Sequence, residues 1–435
     1  MKKVITYGTF DLFHEGHRSL LERAKALGGH LVVAVTGDGF DRERGKLNVK
    51  DSLATRIESV KATGYADEII VEEYFGQKAA DIMRFGIDIF AIGSDWKGKY
   101  DYLSRYCEVV YLDRTKGVSS TELREQNAKL LRLGIISDSF EDGGIFAEAH
   151  FVSGLEASGV YIPPVGGGDG GHEENMAAAE AFRANYDLAT VFETADGLFE
   201  GSDIVYVHMQ RRYRFEFAAA ALKAGCHVIC DFPLDKSEDA ERIYRLVKDC
   251  GRAFVECVPL LYLRTFQQLS GLLHGGAVGQ VLSVDCTMPA LGDFRDSEAL
   301  AAATFARILG TEGATASRVS VQSRDRYDRI GFSCGDAIAS CAVSDSEWLK
   351  PGMVIVGTDG RVEIPGAWWN MNYFKLLMRG EDSPRRYSFN VEGSGLRYLL
   401  SETSQMVAEG RTDSMALSNE EAQKLVALLE RGDLL

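Results

Sequence analysis

The sequence predicts an α/β protein whose first third is a doubly wound parallel sheet. Three observations carry this. From residue 1 to about 131, short β-branched and aromatic runs alternate with amphipathic stretches. The run "KKVITYGTF" passes almost at once into "HRSLLERAKALGG", a helix pattern with glycines just past it. Two later stretches, "GSDWKGKYDYL" and "RTKGVSSTELR", follow the fourth and fifth strands, where ligands meet sheets of this kind. In chain order the strands are expected at residues 4–7, 31–36, 68–71, 89–92 and 108–111. Helices are expected near residues 18–27, 54–63, 78–85 and 120–131.

The stretch "YGTFDLFHEGH" places His14 and His17 where the first strand feeds a helix N-terminus. Three readings compete for the pair. They could be half-buried residues of a first helical turn. They could be metal ligands on one helical face, although no third ligand stands nearby at a recognisable spacing. Or they could donate hydrogen bonds to a phosphate, since open backbone N–H groups and the helix dipole favour anions there. Gly16 lets a ligand approach the backbone closely. In "RTKGVSSTELR", Arg114 and Thr115 with Ser119, Ser120 and Thr121 surround a glycine at another helix start. An ordinary N-cap is the plain reading of that segment alone, but beside the histidines it reads as a second phosphate-binding terminus.

Composition bounds the rest. The chain has 435 residues, enough for two or three domains, with 46% hydrophobic and 26% charged residues. No apolar run approaches the roughly 20 residues a bilayer requires. The eight cysteines never form C-x-x-C, and in a chain this long they read as reduced thiols of a cytoplasmic protein. A net charge of −16 argues against nucleic-acid or anionic-membrane partners, so an anionic ligand needs a local basic cluster.

Taken together, "YGTFDLFHEGH", "GSDWKGKYDYL" and "RTKGVSST" resemble the H-x-G-H nucleotidyltransferases, and within them the glycerol-3-phosphate cytidylyltransferase family, over residues 1–131. The resemblance implies an enzyme that joins CTP to a polyol phosphate and releases pyrophosphate, with Mg²⁺ carried on the triphosphate, in teichoic-acid or capsule assembly. It implies His14, His17, Lys46 and Arg114 as catalytic residues. It implies CTP contacts from Thr9, Phe10, Glu15, Gly16 and the segment Arg114, Thr115, Lys116, Gly117, Val118, Ser119, Ser120 and Thr121. Arg44 and Lys78 match acceptor-phosphate positions, with Asp11, Asp38, Arg56, Asp95 and Trp96 ordering the site or the acceptor hydroxyls. One departure stands out: relatives carry arginine just before a Tyr-x-Asp-Glu stretch, and "ATGYADEII" has Gly64 there. Arg56 or Lys61 could cover that role.

The second part begins like a Rossmann unit at "LGIISDSFEDGG". "GSDIVYVHMQ", "AAAALKAGCHVICDFPLDKSEDAERIYRLVKDCG" and "LLHGGAVGQVLSVDCT" resemble the glucose–fructose oxidoreductase and inositol dehydrogenase family. The expected organisation is a cytidylyltransferase domain over 1–131, a Rossmann-like domain over 132–257 and an α+β sheet domain over 258–435. The cofactor motifs are degraded. Ser137, Asp138 and Ser139 replace turn glycines, Met209-Gln210 replaces a Thr-Pro, and Phe232 replaces a lysine. The acid-and-histidine motif expected in "SEALAAATFARILG" is missing, and "PPVGGGDGGHEEN" reads as a surface insertion. NAD(P) is therefore not expected, and this half is expected to be structural and to build a homo-oligomer. The basic cluster at residues 210–214 reads as a solvated helix start, with an anion site as the alternative. Two other functions stay open: a bifunctional enzyme whose second half is an NAD(P)-dependent reductase, and a non-catalytic sensor of CTP or CDP-alcohols.

Overall fold

The structure is a computed structural model, described over residues 2–43, 49–74, 76–113, 130–138, 144–152, 154–163, 172–186, 188, 190–322, 325–389, 391 and 393–434. Chain packing divides it into two units. One is Met1–Leu130 with Val152–Gly154, and the other is Leu131–Phe151 with Leu155–Leu435.

The first unit carries five parallel strands: β1 (Lys3–Gly8), β2 (His30–Thr36), β3 (Glu68–Glu72), β4 (Ile89–Gly93) and β5 (Glu108–Leu112), in the order β3-β2-β1-β4-β5. Both faces are buried, which is why the strands read as nearly continuous apolar runs. Val4, Leu31, Val33 and Ala91 pack on one face with Leu21 of the helix Glu15–Ala26. Ile5, Tyr7, Val32 and Phe90 pack on the other with Ile82 of the helix Gln77–Phe85. The order reverses between β1 and β4, so a crevice forms at their carboxyl ends. A short helix, Asp38–Glu43, was not expected from the pattern. The predicted helix over 120–131 falls outside the described residues up to 129, and Leu131 itself opens a strand.

The second unit contains a six-stranded parallel sheet, β6 (Leu131–Ser137), β7 (Leu155–Tyr161), β8 (Thr190–Phe192), β9 (Ile204–His208), β10 (His227–Asp231) and β11 (Phe254–Cys257), ordered β11-β10-β9-β6-β7-β8. It also contains an eight-stranded mixed sheet: β12 (Val281–Pro289), β13 (Thr315–Gln322), β14 (Arg326–Cys334), β15 (Ala337–Ser344), β16 (Gly352–Gly357), β17 (Gly360–Pro365), β18 (Tyr373–Met378) and β19 (Arg385–Ser388). Its order is β13-β14-β15-β12-β16-β17-β18-β19, antiparallel except where β12 meets β15.

One face of this mixed sheet is covered. Val284, Cys286, Cys341, Ile355 and Phe374 are buried there, and the helix Phe294–Leu309 lies across β14 and β15. That helix holds the "SEALAAATFARILG" segment. Ala299, Ala302 and Ala303 are buried in it, small enough to let it sit close to its neighbours. On the opposite face Val319, Val321, Ile338, Val354 and Val356 are exposed, Val319 by 67% and Ile338 by 62%. All eight cysteines are free thiols. Among the described residues no helix is long and apolar enough to cross a membrane.

Candidate functional site

The segment after β1 is built around two residues in left-handed backbone, Phe10 at φ 56° and Leu12 at φ 45°. Such conformations cost a non-glycine residue about 1 kcal/mol or more, so the surroundings must impose them. They do. The Phe10 ring folds back beneath Gly8, where a Cβ would meet it at 2.9 Å, and is buried in the core. Asp51 accepts from the Leu12 N–H at 3.0 Å, while buried Asp11 accepts from the N–H groups of Lys50 and Asp51, both at 2.9 Å. The two carboxylates thus clamp this loop to the one that enters the helix Leu53–Ala62.

His14 is then the N-cap of the helix Glu15–Ala26, and its Nδ1 accepts from the Gly16 N–H at 3.0 Å. A neutral imidazole that accepts at Nδ1 carries its proton on Nε2, so this ring keeps a donor. His17 stacks on it with ring centres 3.9 Å apart and is held by Phe10 and Phe13, each at 5.5 Å. Glu15 is acidic in the first turn, as the helix dipole favours. The rings stand at the crevice between the carboxyl ends of β1 and β4. Trp96 lies on the single turn Ser94–Trp96 after β4 and packs on Tyr100 at 5.9 Å. The Tyr111 hydroxyl, which donates to Asp101 and accepts from the Tyr100 N–H, pins that segment.

Arg56 is wholly buried. Its guanidinium donates to the carbonyls of Thr9 and Thr36 at 2.7 Å and of Asp51 at 3.1 Å, and pairs with Asp38 and with Asp41 at 3.5 Å. The Thr9 hydroxyl donates to Asp41 at 3.1 Å. Lys78 is also buried: it pairs with Glu72 and lies 4.5 Å from the Tyr7 ring centre and 5.5 Å from that of Tyr100. Glu72 in turn accepts from the Thr36 hydroxyl at 3.2 Å. Burial, reinforced by the Asp81 carboxylate to which it donates at 2.9 Å, raises the Tyr7 phenol, which stays protonated at neutral pH.

The structure therefore gathers Thr9, Phe10, Asp11, His14, Glu15, Gly16, His17, Asp38 and Arg56 around one loop. It sets Lys78 and Trp96 on neighbouring elements of the same unit. Arg44, Lys46 and residues 114–121 fall outside the described residues, as does the side chain of Asp95. The carboxylates of Asp41, Asp51 and Glu72 were not anticipated. Each acts through a partner far along the chain, and no local spacing announces them.

Comparison with known proteins supplies the family. Residues 5–126 match the cytidylyltransferase-like family model. Glycerol-3-phosphate cytidylyltransferase of Bacillus subtilis is 50% identical over 130 residues, 30% of this chain and the whole of that protein. The enzyme of the same name from Staphylococcus aureus is 42% identical over 128 residues, 29% of this chain and 95% of that protein. The chain belongs to the glycerol-3-phosphate cytidylyltransferase family. The match to the Bacillus subtilis protein lies in the first unit and spans that relative's whole length. Residues 171–256 match the model described as an oxidoreductase family with NAD-binding Rossmann fold. A 3-ketoreductase from Actinomadura kijaniata, solved with TDP-benzene and NADP, superposes with a TM-score of 0.57 at 16% identity, covering 70% of this chain and 96% of its own. An oxidoreductase from Thermotoga maritima gives a TM-score of 0.56 at 19% identity, covering 70% of this chain and 99% of its own. These likenesses establish the fold of the second unit.

At the carboxyl edge of the six-stranded sheet this family member has built a closed network. Asp138 accepts from the Gln210 N–H at 2.9 Å. Tyr206 donates to Asp231 at 2.5 Å, and His208 Nδ1 lies 2.8 Å from the same carboxylate. Burial alone would raise the Asp231 carboxyl, yet His208, Arg214 and the Tyr206 hydroxyl bring it below its usual value. Arg214 is buried, donating to the carbonyls of Met209 and Pro233 and pairing with Asp296, which also holds Arg211 at 2.7 Å. The segment 210–214 does open a helix, with Gln210 and Arg212 exposed as the sequence suggested, but Arg211 and Arg214 are turned into an ion-pair clasp on Asp296. Phe232 is buried beside it.

Replacing Arg56 by methionine leaves buried Asp41 without its cation. Breaking such a pair costs about 3–5 kcal/mol. Native-state hydrogen exchange of R56M should therefore show β1 and β2 opening more readily by that amount. A change below about 1 kcal/mol would mean the guanidinium is not what holds these segments.

Proposed function

We propose that the protein transfers CMP from CTP to a polyol phosphate, with glycerol 3-phosphate as the acceptor, giving CDP-glycerol and pyrophosphate. The observation that carries this reading is the stacked His14–His17 pair at a helix N-terminus, set at the switch point of a unit that spans the whole length of its named relatives. An anionic oxygen of the acceptor phosphate attacks the α-phosphorus in line. The new P–O bond forms as the bond to the β-phosphate bridge breaks, and pyrophosphate leaves with the electron pair. The attacking oxygen carries no proton, so the step needs positioning and charge stabilisation rather than a general base.

His14 and His17 serve as donors to the crowded phosphate oxygens, helped by the positive end of the helix Glu15–Ala26. Lys46, Arg114 and residues 115–121 are proposed as the remaining CTP contacts, and Arg44 and Lys78 as acceptor contacts. Arg56, Asp11 and Asp38 are proposed as positioning residues, since their polar atoms are engaged in holding the loops. Among the described residues no group of three or more His, Cys, Asp or Glu side chains is arranged to hold a metal. Magnesium is proposed to ride on the CTP phosphates, where it neutralises charge.

For the second unit we propose a redox-silent, assembling role. The residues at the six-stranded sheet's edge do not suit a dinucleotide. Asp138, at the end of β6, adds a carboxylate that is bonded to the Gln210 N–H, Phe232 replaces the lysine expected from the resemblance, and Arg214 is committed to Asp296. The exposed valine and isoleucine face of the eight-stranded sheet favours a second copy of the chain as its cover.

Purified protein with Mg²⁺, CTP and sn-glycerol 3-phosphate should release pyrophosphate, and His17→Ala should cut turnover by about 10²-fold or more. No release with any polyol phosphate would sink the assignment, and a loss below about tenfold would remove His17 from it. Titration calorimetry should show no NADPH or NADH binding at tens of micromolar cofactor, on the order of three powers of ten weaker than an uncharged turn would allow. Tight binding would revive a reductase that makes the acceptor. Light scattering of the full chain should give a dimer or higher, and a monomer would refute the assembly role.

A further inference from the structure

We propose that Glu298 and Asp328 form a proton-controlled latch. With a proton shared between the two carboxyls, Arg318 clamps the C-terminal turn at Asp433; without it, Arg318 is drawn inward to Glu298 and the turn is released. The latch lies in the second unit and does not depend on the cytidylyltransferase reading. Glu298 is on the helix Phe294–Leu309 and Asp328 on β14, and both side chains are wholly buried. Asp328 is well supplied: Arg326 donates to it at 2.9 and 2.6 Å, and Ser320 donates from the facing position on β13. Glu298 is not. Among the described residues neither of its oxygens has a hydrogen-bond partner, and it makes only a loose ion pair with Arg318 at 3.7 Å. A buried carboxylate in that state is costly, whereas a carboxylic acid has a proton to give. Asp328 stands next to it to receive one.

Burial pushes the Glu298 carboxyl up from 4.5 to about 7; Arg318 opposes the shift and Asp328 reinforces it. Burial would raise Asp328 too, but bonds from Arg326, Ser320 and Glu298 bring it below its usual value. Arg318 meanwhile serves two carboxylates with one guanidinium. It holds Asp433, 84% exposed, at 3.1 Å and Glu298 less closely. Asp433 follows the helix Asn419–Arg431 in left-handed backbone at φ 58°, and its carbonyl accepts from Arg295 at 2.7 Å. The two arginines thus hold a strained turn. An exposed ion pair contributes little, while a buried ionised carboxylate without its cation is strongly unfavourable. Loss of the proton therefore turns Arg318 inward. The turn abuts the edge strand β13, where a Cβ on Gly432 would meet the Ala316 carbonyl at 2.7 Å, so its release uncovers part of that edge.

Neighbouring charged groups are engaged elsewhere. Asp293 caps the helix of Glu298, and Asp296 holds Arg211 and Arg214. Asp345, past β15, accepts from the Arg326 N–H, and β15 itself adds only the buried thiol of Cys341 to this face. His274 and Glu421, from the helices Arg264–His274 and Asn419–Arg431, lie by Arg307 near the other end of the helix. Between pH 4.5 and about 7 the folded protein keeps a proton on Glu298 that the unfolded chain has lost. The stability this confers is complete below pH 4.5 and is lost as pH rises through about 7. Asp328, held below its usual value, titrates only in stronger acid and leaves this window clear.

The test follows hydrogen exchange of residues 428–434 in the full chain, corrected for the intrinsic rate, as pH rises through the Glu298 transition. There the N–H groups of Gly432, Asp433 and Leu434 bond to the carbonyls of Leu428, Glu430 and Leu429. Wild-type protection should fall by about tenfold or more, as for a latch whose two states differ by about one pKa unit at Glu298. E298Q, with an amide donor and no charge to titrate, should stay protected throughout, and R318M should be poorly protected throughout. Glu256 is also pushed up to about 7 by burial, so the comparison with E298Q isolates Glu298. If E298Q does not fold, R318M decides alone, since the pH dependence must vanish with the guanidinium. Wild-type protection that changes by less than about threefold, or a folded variant that does not follow these patterns, overturns the inference.

Discussion

The candidate site depends on one buried charge. Where parallel strands β1 and β2 end, the carbonyls of Thr9 and Thr36 have no further strand to bond, and leaving them dry would be costly. The Arg56 guanidinium bonds both, along with the carbonyl of Asp51, and the carboxylates of Asp38 and Asp41 offset its charge. A lone buried ion would be expelled or neutralised, so the cluster holds only as a set. With those ends fixed, the Asp11 and Asp51 carboxylates can hold the next loop in left-handed backbone, and His14 arrives at the helix start already placed as its cap. Preorganisation of this kind is what a reaction short of general-base chemistry requires.

The chain contains two parallel sheets, each with a switch point, and the side chains at the two edges differ. At the first, charges are spent on backbone carbonyls and loops, which leaves imidazoles to face the crevice. At the second, Asp231, Tyr206, His208, Arg214 and Asp296 engage one another, and Phe232 is buried. The packed alanines of the helix Phe294–Leu309 complete that pattern. This helix packs Ala299, Ala302 and Ala303 against its neighbours, while its acidic residues Asp296 and Glu298 pair with Arg214 and Arg318.

The sequence by itself determined the five strands of the first unit to within a residue or two, since apolar alternation is a local property that burial on both faces enforces. It also determined the histidine pair at the strand-to-helix turn and the family to which it belongs, because both are written in consecutive residues. It missed the helix Asp38–Glu43, whose "DGFDRE" has little apolar periodicity, and it read Arg214 as solvated when its partner Asp296 lay 82 positions beyond it. Only the tertiary structure decided which charges are spent within the protein and which face a ligand. The free energy of a buried ion depends on partners brought together by folding, and no local spacing encodes them.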